Sequence, residues 1–209
     1  MRIWFHSQKG KGEKARGFSL IELVVVGAIG MIVTAMAIPL IMNSVRQYRL
    51  RSAGTDYANL LQQARARAVQ DDRFYTVLMD AANNRAYIDI PGNGTGYTAG
   101  DPMMALPTSI IPKAYSTGPA VSNLISQFLP AGSSGTVRTT ATGPTFGPRG
   151  LPCTPSGGTC PMLDASGVPS SFITFMQNSQ DSRWEAITVT PAGRIRTWSY
   201  NGSTWSPLN

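Results

Sequence analysis

"GFSLIELVVVGAIGMIVTAMAIPLIM", Gly17 to Met42, is the stretch whose reading decides the fold. From Phe18 onward its only ionisable side chain is Glu22. As a helix with a rise of 1.5 Å per residue, Phe18–Met42 reaches about 37 Å, longer than a bilayer core of about 30 Å. Three ordinary readings compete. A secretory signal has a shorter apolar core before its small-residue cleavage site, whereas here Ala35-Met36-Ala37 runs straight into Ile38-Pro39. A plain membrane anchor explains the length but not Glu22, since an unpartnered carboxylate at mid-bilayer depth costs about 2.5–3.5 kcal/mol. A buried core helix explains neither the unbroken apolarity nor the basic flank.

That flank holds Arg2, Lys9, Lys11, Lys14 and Arg16 against Glu13 alone. The segment following the run, "NSVRQYRLR", is also basic, but the leader favours a cytoplasmic N-terminus. The formal net charge of the whole chain is +7. Beyond residue 16 the excess is small, and every basic residue there except Lys113 is an arginine. Such a bias fits either a GC-rich coding sequence or a surface for anions.

The two cysteines, Cys153 and Cys160, stand in "CTPSGGTC". Zinc needs about four ligands, and the only histidine, His6, is remote. The spacing is too long for a redox C-x-x-C. A small disulfide loop is therefore expected rather than free thiols, stabilising the fold by about 2–3 kcal/mol and implying an oxidising compartment.

In residues 43–72, apolar or small side chains recur at Val45, Tyr48, Ala53, Tyr57, Leu60, Leu61, Ala64 and Ala68, mostly in steps of three and four. That spacing predicts an amphipathic helix continuing from the apolar run, with Asp71-Asp72 at its end and Gly54 as a candidate bend. "FYTVLMDAANNRAYIDI" reads as a β-hairpin turning through Asp80–Asn84. Residues 91–135, rich in Gly, Pro, Ser and Thr, read as a long loop with at most a short helix or strand in "VSNLISQFL". "GTVRTTATGPTFGPRG" suggests a strand and then a turn. "SSFITFMQ" is a strand with Phe172, Thr174 and Met176 on one face and Ile173, Phe175 and Gln177 on the other. A terminal hairpin follows, with strands 184–189 and 194–200 around Pro191-Ala192-Gly193. The expected fold class is α+β: a long helix whose second half packs on an antiparallel sheet.

Nothing in the chain reads as an enzyme. No histidine follows His6, and the carboxylates are scattered. "PGNGTGYTAGD" lacks the lysine and helix of a phosphate loop. No nucleophile–base pair or metal cluster is legible, so neither a cofactor nor a small-molecule substrate is expected.

"ARGFSLIELVVV" resembles the prepilin signature: a basic leader ending in glycine, then phenylalanine, then a glutamate at the fifth mature position. The resemblance implies that a prepilin peptidase cuts between Gly17 and Phe18 and N-methylates Phe18. It implies a helix kinked by Pro39, and assembly with other pilin or pseudopilin subunits through Glu22. A buried Glu22 meeting a neighbour's terminal amine would be strongly compensated, and unpaired it is costly. The pilin fold this implies has 1–17 as a cleaved leader, 18–42 as the transmembrane and filament-core helix, 43–72 as its amphipathic continuation, and 73–209 as an antiparallel β domain. The implied location is the bacterial inner membrane, with the globular domain periplasmic, and then the filament.

"TFGPRG" at Thr145–Gly150 and "VTPAGRIRTW" at Val189–Trp198 look like the H-type minor pseudopilins of type II secretion, and equally like the FimT-type minor pilins of type IV pili. They leave the choice between these branches open. For the second branch the resemblance implies an alternative role in DNA uptake. In a strand, Arg194 and Arg196 would share a face about 6.5–7 Å apart, close to the spacing of phosphates, with Arg149 extending the patch. The bland alternative is a hairpin turn with two solvated arginines.

Overall fold

The computed structural model describes residues 17–92, 96–113, 117–129, 137–138, 143–156, 158–163 and 167–208. The basic leader, Asp164 and parts of the 91–135 segment lie outside the described residues. The chain divides into two compact units, Met1–Asn43 and Ser44–Asn209.

Helix α1 runs from Leu20 to Gln70, with Pro39 inside it. In the first unit its side chains are exposed throughout except for half-buried Ala37. The most apolar 18-residue window has a mean hydropathy of 2.5, so this helix is long and apolar enough to cross a membrane. The hydroxyl of Thr34 donates to the Gly30 carbonyl at 2.9 Å, which satisfies it within the helix.

In the second unit the same helix buries Leu50, Ala53, Gly54, Tyr57, Ala58, Leu60, Leu61, Ala64 and Ala68. This is the stripe read from the periodicity, except that it starts at Leu50. Val45 and Tyr48 stay exposed, as the apolar cluster covers nothing before Leu50. Asp72, in a left-handed conformation at φ 51°, takes the chain out of the helix. The hydroxyl of Tyr75 donates to Asp71 at 2.6 Å and ties this exit to the first strand.

Two sheets follow where the sequence pattern predicts one. The first has the order β3-β2-β1-β6, all antiparallel: β1 is Tyr75–Asp80, β2 Arg85–Asp89, β3 Met103–Ala105 and β6 Thr145–Phe146. Its hairpin turn is held by Asp80, which accepts from the Asn83 side chain at 2.7 Å and pairs with Arg85 at 2.9 Å. The second has the order β10-β9-β8-β7-β4: β4 is Ile110–Lys113, β7 Ser171–Asn178, β8 Trp184–Val189, β9 Ile195–Tyr200 and β10 Trp205–Pro207. These pairs are antiparallel, and β5 (Val137–Arg138) adds one parallel pairing to β7.

Residues 91–135 are thus more regular than their composition suggests. They contribute β3, β4 and helix α2 (Val121–Phe128). Pro112 is tolerated because β4 lies at a sheet edge. Both faces of β7 are buried. Phe172 and Met176 join the α1 side chains, Val77, Ile88 and Phe146 in the larger core. Ile173 and Phe175 pack with Leu124 and Phe128 of α2 and with Trp198 and Trp205 in the second. The order is therefore α1, sheet, α2, with β7 at the centre.

Candidate functional site

Three places carry chemistry. The first is the start of α1. Glu22 sits in the first turn, where unpaired backbone N–H groups favour a carboxylate. Glu22 and Phe18 are both exposed, and Phe18 is 81% so. A Cβ at Gly17 would meet nothing within 4 Å. The fold therefore does not require glycine there, and the reason for it has to be sought outside the chain. The same is true of Gly27 and Gly30.

The second place is where the two late motifs meet. The turn before β9 is closed by the Gly193 N–H to the Thr190 carbonyl at 2.8 Å and the Thr190 N–H to the Arg194 carbonyl at 2.9 Å. Gly193 has φ 75°, and a Cβ there would lie 2.8 Å from the Gly150 carbonyl oxygen. Gly150, at φ 69°, closes its own turn through its N–H to the Gly147 carbonyl at 2.8 Å. Between the two glycines lies Arg65 of α1. Its Nη1 donates to the Gly193 carbonyl at 2.9 Å, and its Nε would lie 3.2 Å from a Cβ on Gly150. Sequence reasoning weighted the arginines of "GPRG" and "GRIR", but the glycines are what the fold uses, as a seat for Arg65. No sequence signal singled out Arg65 from the other polar-face arginines of the helix.

The structure puts Arg194 in the turn, one residue ahead of β9, and leaves it exposed, as it does Arg149. Arg196 is half-buried in β9, and its Nε is buried with no hydrogen-bond partner. Cys153 and Cys160 are joined by a disulfide. It lies beneath the 145–150 segment: the Cys153 N–H donates to the Thr145 carbonyl at 3.0 Å.

The third place was not read from the sequence. Glu185 of β8 is 1% exposed, and neither carboxylate oxygen has a hydrogen-bond partner. It presses against Gly54 of α1, where a Cβ would collide with its Oε2. Gly54 is thus a close-approach glycine within an unbroken helix. Burial pushes the Glu185 carboxyl up to about 7, with the Arg51 charge opposing. Glu185 also lines a cleft of about 590 Å³ with Gln47, Leu50, Arg51, Ser199 and Ser206. Among the described residues no three His, Cys, Asp or Glu side chains gather as metal ligands would.

Residues 13–38 match the family model described as the prokaryotic N-terminal methylation motif. No curated protein matches the chain by sequence. Among solved structures, the chain is similar to the minor pseudopilin EpsH from the type 2 secretion system of Vibrio cholerae. Identity is 9%, the TM-score is 0.42, and the match covers 72% of this chain and 97% of that one.

Proposed function

We propose that the chain is a pilin-class filament subunit, a minor pilin or pseudopilin. On this reading a prepilin peptidase cuts it between Gly17 and Phe18 and methylates the new terminus. The first half of α1 holds the subunit in the inner membrane, N-terminus cytoplasmic, until it joins other subunits. One observation carries the reading: the methylation motif at 13–38 takes in the start of α1, and the described apolar side chains of that stretch are exposed rather than buried in their own unit. An apolar helix with a single carboxylate near its N-terminal end is suited to a bundle of like helices, where each Glu22 meets a neighbour's terminal ammonium. Gly27, Gly30 and Thr34, three and four residues apart, give such a bundle a face for close approach. On this reading the role is structural. Mass spectrometry of the protein from its native membrane is expected to show N-methylated Phe18 as the first residue. Glu22→Val is expected to remain in the membrane while its recovery in sheared filaments falls about tenfold or more. An intact leader, or undiminished recovery of the variant, would refute the proposal.

The secretion branch and the pilus branch share this assembly step. DNA binding is a second reading, favoured by one observation: the Gly150 and Gly193 turns approach closely, a Cβ on Gly193 lying 2.8 Å from the Gly150 carbonyl, and each turn carries an exposed arginine, Arg149 and Arg194. Phosphate contacts from a few arginines give affinity that falls steeply with salt. The full chain in detergent should then retain DNA at low salt, and Arg149→Ala/Arg194→Ala/Arg196→Ala should not. Equal retention by both would remove this reading.

A further inference from the structure

The cleft beside Glu185 has a built floor. Glu185 on β8 faces Ser199 on β9, and Ser199 faces Ser206 on β10. Three adjacent strands thus present a carboxyl and two hydroxyls in one row. Elsewhere this face mixes apolar side chains, Phe172, Met176, Ile187 and Val189, with buried polar ones that have partners, such as Thr174 at the Tyr57 hydroxyl and Asn178 at the Arg46 carbonyl. Gln47, Leu50 and Arg51 of α1 line one side, and Asp181, Arg183, Asn201 and Leu208 also line the cleft. A volume of about 590 Å³ lies within the range of sites that take small ligands or side chains.

A carboxyl in this position does nothing for packing that an aliphatic side chain would not do at lower cost. Both of its oxygens are buried and unpartnered, so its own chain leaves it uncompensated. The charged groups lining the cleft with it are Arg51 from α1 and Asp181 and Arg183 from the turn before β8; the Tyr200 ring lies on the other face of the sheet, against Trp205. Arg183 is engaged with Asp181 at 3.3 Å. Arg51 is exposed, and among the described residues it forms no ion pair with Glu185.

We propose that this cleft is a docking site for the basic side chain, lysine or arginine, of a neighbouring polypeptide, whose cation pairs with Glu185 as its carboxyl turns from Gly54 toward Ser199. A single charge on an apolar stem suits the site. Leu208, 39% exposed, offers the stem an apolar neighbour, and the charge goes to the floor. A polyamine would set its further charges against Arg51 and Arg183. The proposal does not depend on how the N-terminus is processed, so either reading can fail alone.

The test uses the full chain in detergent micelles with carboxyl-labelled glutamate, observed by NMR at about pH 8, where Glu185 is ionised. The probes are Nα-acetyl-lysine methylamide, its norleucine counterpart with a similar stem and no charge, and spermidine. The lysine probe should bind saturably and shift the Glu185 signal. The other two should bind at least about tenfold more weakly, as should all probes to Glu185→Gln. At about pH 5.5 protonation should abolish the preference for lysine. Equal binding of lysine and norleucine probes, or of lysine to wild type and Glu185→Gln, would overturn the proposal. So would binding that leaves the Glu185 signal unmoved.

Discussion

Single side chains decide two features of the second unit. Glu185 keeps a proton in the fold that it releases when unfolded, because its carboxyl is raised from 4.5 to about 7. Raising the pH from about 4.5 to about 7 therefore costs stability, and above about 7 the whole penalty is present. A shift of that size corresponds to about 3 kcal/mol, lost on going from acid to neutral pH. Denaturant midpoints of the full chain in detergent should fall between about pH 5 and pH 8, and Glu185→Gln should flatten the decline. Gly193 is the other case. Its positive φ and the nearby Gly150 carbonyl leave no room for a methyl group. Gly193→Ala should cost about 1–3 kcal/mol in the same measurement, whereas Gly202→Ala, with positive φ but open space, should cost less.

At the scale of elements, the sequence was most legible where a pattern is long. The stripe from Ala53 to Ala68 and the two faces of β7 follow directly from spacing, since each repeats often enough to be read. β3, β5, β6 and β10 have two or three residues each, too few for a period of two to show. They exist because longer neighbours offer them an edge, which is tertiary information. The same limit hid the division into two sheets. At the candidate sites, spacing marked Cys153 and Cys160 but could not disclose Arg65 or Glu185. Nothing local distinguishes a surface arginine from one that reaches a glycine 128 positions away. Helix α2 tests the outer layer: Leu124 is fully buried against the sheet. Leu124→Ala should lower stability by about 2–5 kcal/mol, while Ser126→Ala, exposed on the same helix, should change it little.

For the whole molecule, the two units ask for different surroundings. The described part of the first unit, residues 17–43, presents apolar surface suited to lipid or to sister helices, and Ser44–Asn209 contains a core of its own with a disulfide at its edge. Replacing both Cys153 and Cys160 by serine should cost about 2–3 kcal/mol in denaturation of the oxidised protein. The larger consequence concerns timing. β7, buried on both sides, has β8 as a partner that comes after it in the chain, and the Trp205 indole donates to the Pro119 carbonyl 86 positions earlier, at 2.9 Å. A chain made in order from its N-terminus would hold this central strand half-dressed until the closing hairpin arrived, so the second unit would snap shut late. On the proposed membrane reading, that late closure would fall on the far side of the bilayer, after the apolar stem had been anchored.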